Sequence, residues 1–209
     1  MIIDPKKITY QEAYKVLIGS VLPRPIAFVS SIDSNGINNL APFSFFTVAA
    51  SNPPTLVFCP LRRSSDGSKK DTLKNIEETK EYVVNIVSED FVEKMNLTAE
   101  EFPSGVDEFK ESGLTPIDCE KVKAKRVLES PISFECKLTQ IVSVGNDGPG
   151  GGSIIIGEII LMHINDDVID NFRIDMKKTK PLGRLAGNYY SRTTDNFELI
   201  RPTTLIKRI

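Results

Sequence analysis

Residues 38–54 read NNLAPFSFFTVAASNPP. Small, hydroxyl and aromatic residues crowd an extended run that stops at Pro53-Pro54, a pair that forbids helix and fixes the turn into the next segment. Ala41, Ser44 and Thr47 leave main-chain N–H groups accessible, while Phe43, Phe45 and Phe46 offer apolar walls. A strand built this way can press its backbone against a flat ligand. Upstream, residues 26–32 (IAFVSSI) are branched and apolar and end at Asp33-Ser34-Asn35-Gly36, a turn composition. The two runs are expected to form a hairpin, with residues 38–50 as one continuous second strand.

Working outward, residues 55–59 read as a short buried strand and 82–87 (YVVNIV) as another, with a short helix over 72–79 between them. Short helices are also expected over 90–99 and 106–112. Residues 132–144 and 154–164 are long strands, separated by a glycine-rich stretch at 145–152 that makes them a hairpin. Antiparallel strands in this number, without regular strand–helix alternation, argue for a mainly β architecture with short helices: a closed or partly closed barrel with Greek-key-like connections. Neither a repeat nor an interdomain linker interrupts the 209 residues, which suit one domain spanning 1–209.

The formal net charge of -2 provides no global field to attract nucleic acid or acidic membranes, so any phosphate site has to be local. Cys59, Cys119 and Cys136 are odd in number and lack CxxC spacing, and His163 is the single histidine, which argues against zinc and against a disulfide framework. The first residues carry charges instead of a long apolar stretch, and no run reaches the roughly 18 uninterrupted apolar residues of a membrane span. A reduced, cytoplasmic protein without membrane association is expected.

The best anion site is the polar segment from Arg62 to Thr72 (RRSSDGSKKDT), directly before the helix expected at 72. Free N–H groups and the positive end of the dipole favour an anion at a helix N-terminus, and Arg62, Lys70 and the Thr72 hydroxyl can add donors. Asp71 is read as the cap of that helix. The bland alternative for the segment is a solvated basic loop. The 145–152 glycines do not make a nucleotide loop, because a strand instead of a helix follows them and no Gly-Lys-Ser/Thr is present; they read as a flexible hairpin tip. His163 late in an apolar strand reads as structural, and Cys59 and Cys136 read as inert core residues, not nucleophiles. Pro181-Leu182-Gly183-Arg184-Leu185-Ala186-Gly187-Asn188-Tyr189-Tyr190 is rich in small residues, as suits either close backbone approach or a tight turn that packs a C-terminal arm.

Taken in order, Pro23-Arg24-Pro25-Ile26-Ala27, the 38–54 strand and Lys70-Asp71-Thr72 resemble the flavin reductase-like family of FMN-binding split barrels. The similarity runs from about Tyr14 to Pro202, with Ala186 standing where a second glycine is common in the family. The resemblance implies a homodimer with FMN near the subunit interface. Residues matching Asn39, Ala41, Pro42, Ser44, Phe45, Phe46 and Thr47 contact the ring and ribityl chain, and those matching Arg62, Lys70 and Thr72 hold the phosphate end. Arg184 and Tyr190 match the late arginine and tyrosine, and residues 23–27 match scaffold. The activity implied is that of an NAD(P)H-dependent flavin oxidoreductase, with NADH or NADPH as a transient hydride donor and no catalytic side chain. Two other readings remain open: a flavoredoxin-like electron carrier serving a redox protein partner, and a non-enzymatic protein holding another flat ligand, such as haem or pyridoxal phosphate, on the same barrel.

Overall fold

The computed structural model describes residues 1–200, so Pro202, where the resemblance ends, lies outside the described residues. After an N-terminal helix α1 (Tyr10–Ser20), strand β1 (Ala27–Ile32) and strand β2 (Asn38–Phe43) form the expected hairpin, in register from Ala27 opposite Phe43 to Ile32 opposite Asn38. The second strand does not run unbroken to residue 50. It leaves the ladder at Ser44 and Phe45 and resumes as β3 (Phe46–Ser51), which turns at Asn52-Pro53 into β4 (Pro54–Phe58) with Ser51 opposite Pro54.

The remaining elements are α2 (Asp71–Thr79), β5 (Glu81–Ile86), α3 (Val92–Leu97), α4 (Glu108–Ser112), the two-residue strands β6 (Pro116–Ile117) and β7 (Arg126–Val127), and the long pair β8 (Ile132–Val144) and β9 (Gly152–Ile164). Seven strands make one antiparallel sheet in the order β2-β1-β5-β8-β9-β4-β3. Its two edge strands are neighbours in sequence. Six inter-strand spacings of ~4.8 Å would hold the edges of a flat sheet roughly 29 Å apart. Three Cα steps from Phe43 to Phe46 reach at most about 11 Å. The sheet therefore has to roll until the end of β2 meets the start of β3, with the two edges left unpaired, and this makes a split barrel out of seven strands.

β1 shows how the rolled sheet is packed. Ala27 and Val29 face an inner cluster with Phe43, Leu56, Phe58, Tyr82, Val84 and Ile155, which Leu73 and Ile76 of α2 complete. Ile26 and Phe28 face an outer cluster with Leu40, Phe91, Met95 and Phe109, contributed largely by β2, α3, α4 and their flanks. Alternate residues of a strand point to opposite faces, so a strand covered on both sides reads as the continuous apolar run IAFV.

The seam is pinned by Arg24. Its guanidinium is buried and donates to the Ser44 Oγ at 3.3 Å, the Ile18 and Val21 carbonyls at 2.7 Å and the Leu185 carbonyl at 3.0 Å, and it lies 5.9 Å from the centroid of the Phe45 ring. Its backbone pairs in both directions with Arg184. One side chain thus ties the C-terminus of α1, the break between β2 and β3 and the C-terminal segment together.

α1 is an addition to the sequence reading. Its start is marked by a reciprocal box in which Thr9 Oγ1 accepts from the Glu12 amide and Glu12 accepts from the Thr9 amide. The helix expected over 90–99 is instead a 3₁₀ turn at Glu89–Phe91 followed by α3, and the one expected over 106–112 starts at Glu108, capped by Asp107. Beyond β9 the chain forms small elements that the sequence reading left unassigned: β10 (Ile169–Asp170), β11 (Arg173–Ile174), α5 (Met176–Thr179), β12 (Leu182–Arg184) and β13 (Tyr190–Arg192). No helix among the described residues is long and apolar enough to cross a membrane.

Arg24→Ala is expected to lower stability by about 3 kcal/mol or more, since charge-assisted hydrogen bonds are worth about 1.5–3 kcal/mol each and the carbonyls left behind are part-buried. Arg24→Lys should recover only part of this, because an ammonium cannot reproduce the planar fork. Urea unfolding of the three proteins measures both effects.

Candidate functional site

The segment 62–72 leads into α2 with Lys70 at the N-cap position, and Lys70 supplies no side-chain cap hydrogen bond. Asp71 is the first residue of the helix and not its cap: its carboxylate is taken by Arg63 at 2.7 Å and Lys74 at 2.9 Å. The first amides of α2 therefore have no side-chain acceptor, and this end of the helix opens into a small polar cavity of about 70 Å³. Asn39, Ala41, Pro42, Lys70 and Thr72 all line it. Thr72 accepts from Asn39 Nδ2 at 2.9 Å, which locks β2 to the helix start.

Lys70 is half-buried, and its Nζ has neither a hydrogen bond nor an ion pair among the described residues; it lies over the Phe43 ring, 5.9 Å from the centroid. Burial pulls its pKa down, Glu101 opposes this, and Arg63 adds to the depression. Such a cation has a use for an anion. Lys70 and Glu101 also line a second hollow of about 610 Å³, walled by Tyr10, Tyr14, Leu17, Phe45 and Leu61. A polar niche at a helix N-terminus and an aromatic-walled hollow thus share one wall.

The structure distributes the remaining predicted residues differently. Arg62 lines the aromatic hollow, not the polar niche, and its guanidinium is held by the Asp147 carboxylate at 2.5 Å and the Gly67 carbonyl at 3.1 Å. Arg63 takes the place beside Lys70. Ser44 is engaged by Arg24 at the seam, while Phe46 and Thr47 lie in the ladder opposite Phe58 and Val57. Arg184 stacks on Tyr190 at 4.6 Å, and the Tyr190 hydroxyl donates to Asn96 at 3.1 Å; neither lines the two cavities. Ala41 does not offer a free amide: the Leu40 N–H points off the sheet to Glu108 at 2.9 Å, and strand alternation turns that of Ala41 towards β1.

The glycine-rich turn at 145–152 is docked onto the site. The Arg62 amide donates to the Gly151 carbonyl at 2.9 Å, and Gly67, at φ +74°, lies so close to Gly148 and Pro149 that a Cβ there would come within 2.9 Å of the proline ring. Gly150, at φ +89°, meets Tyr10 of α1 equally closely. The expected flexible tip is the outer wall of the 62–67 loop.

Sequence reasoning did not find Tyr10, Tyr14, Arg63 or Glu108. The Thr9–Glu12 box pointed to a helix that would carry the tyrosines, whereas nothing local marked Glu108. A wider hollow of about 900 Å³ lies between Lys180–Pro181 and residues 192–196. It contains none of the predicted residues, and four of its charged groups are paired, Arg192 with Glu89 and Lys180 with Asp90.

His163 is structural in a specific sense. Its Nε2 lies 2.6 Å from Oε1 of Glu135, a fully buried carboxylate that also accepts from the amides of Glu120, Lys121 and Val122. Burial by itself would raise the Glu135 pKa, but the Glu120 amide, His163 and the Lys121 amide together outweigh it and hold the group below the ordinary glutamate value. Among the described residues no group of three or more His, Cys, Asp and Glu side chains could hold a metal ion.

The fold and cleft define a split β-barrel with a small polar niche beside an aromatic hollow. The sequence profile described as Flavin reductase like domain matches residues 18–191, and the chain belongs to that family. A protein of Aquifex aeolicus is 47% identical over 178 residues, 85% of this chain and 88% of its own length. The crystal structure of nitrilotriacetate monooxygenase component B from Bacillus cereus is 36% identical with a TM-score of 0.90, covering 95% of this chain and 98% of that one. The 2-nitrobenzoate 2-nitroreductase of Pseudomonas fluorescens is also 36% identical, with a TM-score of 0.86 and 98% of both chains covered.

Glu135→Gln should destabilise the protein by about 1.5–3 kcal/mol at pH 7, the worth of charge-assisted hydrogen bonds. The folded pKa is depressed below the unfolded value of about 4.3, so this contribution is present above that value and lost as pH falls through the folded pKa. Urea midpoints of the two proteins are expected to converge as the pH falls below the ordinary glutamate value.

Proposed function

We propose that the protein is an FMN-binding oxidoreductase, an NAD(P)H-dependent flavin reductase that works as a homodimer in the cytoplasm. The observation that carries this reading is the Lys70 ammonium, without a hydrogen bond or ion pair among the described residues, on the wall shared by the niche and the aromatic hollow. Lys70, the Thr72 hydroxyl and the first amides of α2 make a donor set for a terminal phosphate, and the hollow walled by Phe45, Tyr14 and Leu61 suits a flat ring. The niche borders Asn39, Ala41 and Pro42, where the chain of the ligand would run. One phosphate niche and no second nucleotide-binding loop favour FMN over FAD. Family membership and the two solved relatives, a monooxygenase component and a nitroreductase by name, support redox work.

FMN held there would supply a hydride acceptor able to release electrons singly or in pairs. The protein's part is to bind and orient. Lys70 would neutralise the phosphate end, Phe45 and Tyr14 would screen the ring from water, and the main chain at Phe45 would border it. No side chain serves as an essential acid, base or nucleophile: His163 is engaged by Glu135 and lines neither cavity, and burial pushes the Cys59 thiol away from thiolate formation. A second copy of the chain covers the exposed apolar side chains of α1 and β3, among them Leu17, Val21 and Val48, and the open edge of β3.

The purified protein should be yellow, release FMN on heating, and bleach anaerobically with NADH or NADPH. Bleaching by dithionite alone would support the electron-carrier reading instead, and haem, FAD or no bound flavin after reconstitution would sink the assignment. Lys70→Ala should weaken FMN binding about tenfold or more, corresponding to about 1.5–3 kcal/mol for a charge-assisted bond; an unchanged dissociation constant returns residues 62–72 to a solvated loop. Light scattering at micromolar concentration should show a dimer, and an FMN-loaded monomer would contradict the homodimer.

A further inference from the structure

The niche contains a carboxyl that the proposed function has not used. Glu108, the first residue of α4, is only 8% exposed and lines the same cavity as Lys70 and Thr72. Its Oε2 accepts from the Leu40 amide at 2.9 Å, while Oε1 has no hydrogen-bond partner among the described residues.

Charges in and around the niche make this arrangement unusual for an anion site. From the α2 side come Lys70 and the Arg63–Asp71 pair, which is self-neutralised. The segment after α3 brings Glu100 and Glu101. Helix α4 and its cap add Asp107, with Lys110 at 3.8 Å from it, and Glu111; β2 contributes only Asn38 and Asn39, without charge. On α3, Lys94 is drawn off to the Gly113 carbonyl at the far end of α4, and Glu93 is its remaining charged residue. With Glu108 ionised, acidic groups around the niche outnumber the one cation left free. A phosphate in the niche would then lie in one cavity with a like charge.

We propose that Glu108 is held as the neutral acid in the FMN complex and donates a hydrogen bond from its carboxyl to the phosphate end of the ligand, so that a phosphate-bearing flavin binds together with one proton. This rests on the FMN reading above. The proton is available near neutrality: burial, with smaller contributions from Asp71 and Asp107 and against the Leu40 amide bond, raises the Glu108 pKa to about 7. A neighbouring phosphate raises it further, so the bound form keeps the proton where the free form loses it. The sign follows: affinity is full below the free-state pKa and falls as pH rises through and above it.

The test is titration of flavin-free protein with FMN and with riboflavin, followed by flavin fluorescence between pH 6.5 and 9, above the second pKa of about 6 of a phosphate monoester. FMN affinity of the wild type should fall towards tenfold per pH unit above about pH 7, the limit for one linked proton. Glu108→Gln, which keeps an acceptor for the Leu40 amide, should hold its affinity within about threefold across the range, and riboflavin binding should be flat in both proteins. Calorimetry of FMN binding at pH 8 in buffers of different ionisation enthalpy should find about one proton taken up by the wild type and none by the variant. Flat wild-type affinity, or no proton uptake by the wild type, overturns the proposal whether or not the variant folds. A slope that survives in Glu108→Gln assigns the titration to Lys70 and overturns it as well. Failure of both flavins to bind at every pH removes the FMN reading and this inference with it.

Discussion

Everything in this molecule depends on a link of two residues. Ser44 and Phe45 join strands that stand at opposite edges of the seven-stranded sheet, and the short reach of the chain converts an open sheet into a barrel. A link so short has no room for a side-chain network of its own. The closing contact is supplied by Arg24, whose guanidinium bridges the seam, the end of α1 and the segment after β12. The two hollows lie beside this seam, Phe45 lining the aromatic one and Ala41 and Pro42 the polar niche.

The same closure explains why the binding residues come from distant stretches of sequence. Rolling the sheet sets β2 beside the start of α2, where Asn39 holds Thr72, and sets the β8–β9 turn against the 62–67 loop. Most charges around the cleft are used internally: Arg62 by Asp147, Arg63 and Lys74 by Asp71, Lys69 by Glu77. In the polar niche Lys70 is left as the one cation without a partner among the described residues, and such a niche discriminates by geometry and protonation instead of by bulk charge.

Much of this was legible in the sequence, because strand and turn signals are local. The hairpin from 26 onward, the turn at Pro53, the helix from 71 and the long 132–164 hairpin all follow from apolar runs bounded by Gly, Asn, Asp and Pro. The break at Ser44-Phe45 was not legible, since those residues have good strand propensity and leave the ladder only because the two edges have to meet. Lys70 and Thr72, which the structure brings to one niche, were singled out through the helix whose start they mark. Arg62 faces the aromatic hollow instead, because its guanidinium is held by Asp147, 85 positions away. Glu108 stayed hidden for a related reason: an acidic residue at the start of a helix is the ordinary partner of the dipole, and only the tertiary fold shows it facing Leu40 and the niche.

The short seam also acts as a ruler. Because its span is fixed, the end of β2 and the start of β3 are held together, and the β1-β5-β8-β9-β4 circuit between them has to close. The stretch carrying β6 and β7 and the small elements after β9 lie outside that circuit, where a change of chain length would leave the closure untouched. Even the 145–152 turn, a hairpin end that would elsewhere be free to lengthen, is gauged by its contacts with Gly67 and Tyr10. Variation in size is thereby displaced away from the cleft, and the geometry that a ligand would meet is set by the closure of the barrel.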